Sequence, residues 1–112
     1  MDNQLPKVVQ DCHNLIFWLI PQLDKFPRSR RFTLGERIEN NLLSILANLV
    51  EASYTKQRRS ILIHTNRQLE ITRHLWRLAF ELQVISKHTY KHGAKLIDEI
   101  GRQIGGWLRR QN

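Results

Sequence analysis

Apolar residues return every three or four positions through four long stretches of this chain, and only short breaks separate the stretches. That period belongs to helices with one buried face. The first stretch runs from about Leu5 to Phe26, with Val8, Cys12, Leu15, Leu19 and Leu23 on one stripe. The second, about Thr33 to Tyr54, carries Leu34, Ile38, Leu42, Ile45, Leu49 and Ala52. In the third, about Gln57 to Val84, the inner line is Leu62, Leu69, Thr72, Trp76, Ala79 and Gln83. The fourth, capped by Ser86 and ending near Arg110, has Ile97, Ile100, Ile104, Trp107 and Leu108. No alternating apolar and polar run and no hairpin dipeptide competes with this pattern. Short connections between long helices make neighbours antiparallel. The expectation is an all-α chain folded as one up-down-up-down antiparallel four-helix bundle over residues 1–112.

The breaks carry specific signals. Pro27 disfavours helical backbone at Phe26, so the first helix should stop there. Thr33 and Glu36 have the spacing of a capping box. Pro21 removes one donor inside the first helix and predicts a kink. Gly93, Gly101 and Gly105 fall on one line of the last helix. Each costs about 0.5–1 kcal/mol there relative to alanine, so that line is expected to approach another helix closely.

Eighteen Lys and Arg face ten Asp and Glu, a net charge of +8. Such an excess attracts polyanions, nucleic acid before membrane. Lys25, Arg28, Arg30 and Arg31 gather at the first break. Arg73 and Arg77, four apart, share a face of the third helix. With Arg67, Arg58 and Arg59 they could form one basic track. Glu70 and Glu81 leave open a second reading, a solvated helix laced with ion pairs, and a third such pair is Asp98 with Arg102. No base-reading motif is present, so recognition of phosphate and shape is expected.

Catalytic signatures are missing: no phosphate loop, no HExxH, no GxSxG, no CxxC. His88 and His92 share a face but lack further metal ligands nearby. Neither metal nor cofactor is expected, and a single cysteine excludes an internal disulfide. The longest apolar run, Leu15 to Ile20, is too short to span a bilayer. Spread-out basic residues do not suit a membrane-lying helix. A cytoplasmic protein without membrane association is expected. Phe17, Trp18, Ile20, Phe80, Ile85 and Trp107 exceed what one bundle core can hold, which implies self-association.

Three segments, taken together, carry a family likeness. They are Phe26-Pro-Arg-Ser-Arg-Arg-Phe-Thr-Leu-Gly-Glu-Arg-Ile-Glu39, Asn66-Arg-Gln-Leu-Glu-Ile-Thr-Arg-His-Leu-Trp-Arg-Leu78, and Ile85-Ser86 with Ile100-Gly-Arg-Gln-Ile-Gly-Gly-Trp-Leu108. The chain resembles the accessory variability determinant (Avd) proteins of diversity-generating retroelements. It also resembles the wider four-helix family that includes proteins encoded in intervening sequences of 23S ribosomal RNA genes. The resemblance implies a non-enzymatic four-helix subunit that assembles as a homopentameric barrel. It implies a reverse transcriptase partner, binding of RNA and possibly DNA, and support of adenine-mutated cDNA synthesis. It places Arg73 and Arg77 in nucleic-acid or polymerase binding, with Arg28, Arg30 and Arg31 beside them. The intervening-sequence branch implies instead an interaction protein with no polymerase.

Overall fold

The computed structural model describes residues 5–111. Four long helices form a bundle: α1 (Lys7–Leu23), α3 (Glu36–Tyr54), α4 (Arg59–Glu81) and α5 (Lys87–Arg109). Between α1 and α3 lie a single turn, α2 (Arg28–Arg30), and a π-helical turn, Arg31–Gly35. There is no strand among the described residues.

Long-range side-chain pairs set the directions. Asp11 on α1 meets Gln103 on α5, and Trp18 further along α1 meets His92 earlier on α5. On α4 and α5, Arg73 pairs with Asp98 and Trp76 with Tyr90. In both cases one number rises as the other falls, so the helices are antiparallel. Between α3 and α4, Gln68 donates to Ser44 and accepts from Asn48. Each helix therefore packs beside its neighbours in sequence, and α5 closes the bundle against α1.

Burial follows the helical period. Cys12, Leu15, Leu19 and Leu23 of α1 are inside, with Ile38, Leu42, Ile45, Leu49 and Ala52 of α3. Leu62, Leu69, Trp76 and Ala79 of α4 and Ile97, Ile100 and Ile104 of α5 complete the core. Thr65 and Thr72 are buried polar residues that return their hydroxyls to Ile61 and Gln68 carbonyls one turn back. Burial raises the Cys12 thiol to about 12, so it behaves as a small core hydrophobe.

The first break differs from its expected form. Thr33 and Glu36 make no capping box, because helix has already restarted at Arg28, directly after Pro27. The Pro27 carbonyl accepts from the Arg30 and Arg31 amides. Thr33 instead lies inside the π-helical turn and donates to the Ser29 and Arg30 carbonyls. Gly35 is buried in that turn, where an added Cβ would lie 3.3 Å from the Phe26 ring. Phe26 thus plugs the corner. α1 remains one helix across Pro21, which is exposed to solvent.

The end of α4 is a second correction. Gln83 is exposed and lies off the expected inner line, with φ at 62°. The Val84 amide donates to the Ala79 carbonyl and the Gln83 amide to the Phe80 carbonyl. This is a Schellman cap with glutamine in the position that usually holds glycine. A left-handed backbone costs a non-glycine residue about 1–2 kcal/mol. Gln83→Gly should therefore raise the melting temperature by several degrees, read by circular dichroism; an unchanged or lower value would contradict this reading of the cap. At the next break the Ser86 side chain accepts from the Thr89 amide, the N-cap expected of it.

Candidate nucleic-acid interface

The basic residues singled out in the sequence fall into three places. The corner after α1 holds Lys25, Arg28 and Arg30, all exposed. Arg31, in the same segment, is half-buried and bonds Glu39 at 2.9 Å and Asp24 at 3.2 Å. It ties α3 back to the end of α1 and serves as a strut of the corner.

The flank of α4 holds Arg73 and Arg77 on the side towards α5. Arg73 bonds Asp98 at 2.9 Å and also Glu70. Arg77 bonds Glu81 at 2.9 Å, and that carboxylate raises the guanidinium above its ordinary range. Locally these two arginines are matched by three carboxylates. Arg67 lies on the outward face of α4 and is exposed.

The third place is the end of the bundle where the α3–α4 connection meets the last turn of α5. Arg58 donates Nε–H to the Thr55 carbonyl at 2.8 Å. Its guanidinium lies 5.4 Å above the Trp107 ring, a cation–π arrangement that holds it flat. Arg59 donates to the Gln111 carbonyl at 3.0 Å. Arg109 and Arg110 fold back along their own helix, past Gly105 and Gly106. None of Lys56, Arg58, Arg59, Arg109 or Arg110 bonds an Asp or Glu among the described residues. Arg102 and Lys7, also here, are neutralised locally. Arg102 bonds Glu99, holding that carboxyl below its usual range. Lys7 and Gln103 do the same to Asp11.

The three places are spread along the whole length of the bundle, with Arg67, Arg73 and Arg77 of α4 between its two ends. The Lys25–Arg30 corner and the Arg58–Arg59 connection sit at opposite ends of α4, a helix of 23 residues and so about 33 Å long. Helical spacing alone marks Arg109 and Arg110 as no more than cations at the end of α5. Their convergence with Arg58 and Arg59 spans about fifty residues, which helical spacing cannot show. The Asp98–Arg102 pair also exchanges partners: Asp98 goes to Arg73, and Glu99 to Arg102.

Two apolar patches face outward. On α1 and α3, Phe17 is 79% exposed and Leu43 44%. Phe17 borders an apolar recess of about 370 Å³ shared by Ile16, Ile20 and Leu46. On α4, Ile71, Leu78 and Leu82 are exposed at helical spacing. Of the surplus residues expected outside, Trp107 is buried, whereas Trp18, Ile20, Phe80 and Ile85 are half-buried. His92 sets its ring edge-on to Trp18, 4.6 Å between centroids. No group of three His, Cys, Asp or Glu able to hold a metal ion occurs among the described residues. No helix described is long and apolar enough to cross a membrane.

The sequence profile of the bAvd-like family matches residues 7–111. The chain belongs to the bAvd-like family. No curated protein and no solved structure matches it. A bAvd-like chain is by family an accessory protein of diversity-generating retroelements, and such proteins are generally non-catalytic.

Proposed function

We propose that this protein is a non-catalytic accessory subunit of a retroelement reverse transcriptase. It binds template RNA, and cDNA by the same phosphate chemistry, and so supports mutagenic cDNA synthesis. The single observation that carries this reading is the bAvd-like match across nearly the whole chain. The same match favours the retroelement role over the intervening-sequence alternative.

The net charge of +8 supports nucleic-acid binding, since each cation set against a phosphate releases a counterion. The binding surface comprises Arg58, Arg59, Arg67, Arg73 and Arg77, with Lys25, Arg28, Arg30 and Arg31 at the far corner. These residues do not contribute equally. Arg73 and Arg77 must give up carboxylate partners before gripping a phosphate, and Arg31 must abandon a structural tie. Arg58, Arg59 and Arg67 have no carboxylate partner among the described residues.

The protein acts as one 112-residue domain within a homo-oligomer, a pentameric barrel. Two unlike apolar patches on different faces, one on α1 and α3 and one on α4, suit a head-to-tail contact, the kind that closes into a ring. The polymerase partner is tested by coexpression with the reverse transcriptase of the element, followed by nuclease treatment and affinity capture. Stoichiometric recovery of the polymerase is expected. Recovery that disappears with the nuclease would reduce the partnership to shared RNA.

A further inference from the structure

Resting on the nucleic-acid reading above, we infer that the Arg58–Arg110 end of the bundle is a dedicated clamp for the phosphodiester backbone of an unpaired RNA strand. A recess of about 410 Å³ opens there, lined by Arg58, Arg102, Arg109 and Arg110 with Trp107 and Gly106. A second recess, of about 350 Å³, shares Arg58 and adds Lys56 and Arg59. Arg58 therefore stands on the ridge between two positively lined hollows.

Three observations point to phosphate. The cations are mainly arginines, whose planar fork matches phosphate oxygens in pairs. Apart from Arg102, which bonds Glu99, they pair with no Asp or Glu among the described residues, in contrast to the α4 flank. Arg58 is also set in place beforehand: the Trp107 face and the Thr55 carbonyl fix its plane, and only Nε is consumed by the carbonyl. Less side-chain freedom is then lost on binding.

The hollows select the form of the ligand. A duplex is a stiff rod whose phosphates follow a fixed spiral and cannot turn into a recess. A single strand can bend two successive phosphates into the neighbouring hollows. Gly106, in the wall of the first recess, now has a reason beyond packing. An added Cβ at Gly106 would meet only the Arg110 and Arg109 guanidinium groups, at 3.6 and 3.7 Å. Its missing side chain leaves that side of the recess open.

The test is fluorescence anisotropy of the full-length protein with a fluorescein-labelled single-stranded RNA and the matching duplex, over a salt series. Arg109→Gln/Arg110→Gln should weaken single-strand binding by at least about tenfold and flatten the salt dependence by about 1.4 in log–log slope. Gly106→Leu, which fills the recess without changing charge, should also weaken it. Arg73→Gln/Arg77→Gln should lose less than either. Circular dichroism confirms that each variant folds. Equal losses for the end and flank variants would overturn the clamp, as would tighter binding of the duplex. End variants that keep RNA affinity but lose the reverse transcriptase would reassign this end to the polymerase. Those outcomes leave the nucleic-acid reading standing. A wild-type protein that binds no RNA overturns both.

Discussion

Gly93→Val should destabilise the protein by about 3 kcal/mol or more, the sum of overpacking and a broken buried hydrogen bond. Gly93 is buried where α5 crosses α4. A Cβ built there would lie 2.6 Å from Trp76 Nε1 and 2.7 Å from two of its ring carbons. The ring cannot step aside, because Trp76 is 1% exposed and its Nε1–H donates to the Tyr90 carbonyl at 2.9 Å. Thermal unfolding should show a drop of at least about 10 °C, at about 4–8 °C per kcal/mol for a domain somewhat smaller than this one. Gly105→Ala is the control. Its added carbon meets only the Arg109 guanidinium at 3.6 Å, so that variant should match wild type or slightly exceed it. A Gly93 variant as stable as wild type would show that α4 and α5 lie further apart than described.

Phe17→Asp/Leu43→Asp should leave a folded monomer where the wild-type protein sediments as a larger species. Both side chains already face solvent, so charging them costs the isolated subunit little. In an assembly they would bury two unpaired carboxylates, at several kcal/mol for each interface. Sedimentation velocity reads the mass directly. Wild-type protein that is monomeric at the same concentration would contradict the ring and leave the patches to another partner.

Much of this architecture was legible in the residues. The core lines of all four long helices repeat at the helical period, and Gln83 is the clear exception. Its side chain leaves the stripe because the chain has already turned left-handed to close α4. Nothing in a glutamine announces that turn. Pro27 was readable as a stop, yet it also begins the next helix, and the charged residues after it therefore ride on a helix. The glycine line was half right. Gly93, and Gly101 with Leu69 at 3.4 Å, accept close neighbours, whereas Gly105 opens towards arginine.

The candidate site was legible only as inventory. Spacing identified Arg73 and Arg77 as a pair but left open what they hold, and the answer depends on Asp98, 25 residues from Arg73. The basic end was invisible for the same reason. Arg59 reaches Gln111 across 52 residues, a closeness set by how α5 returns to the α3–α4 connection.

The most direct measurement is cDNA synthesis on the template RNA of the element, by its reverse transcriptase, with and without this protein. Full-length products carrying substitutions at template adenines should appear with the wild-type protein and fall sharply with Arg109→Gln/Arg110→Gln. Identical products in its absence would contradict the accessory role.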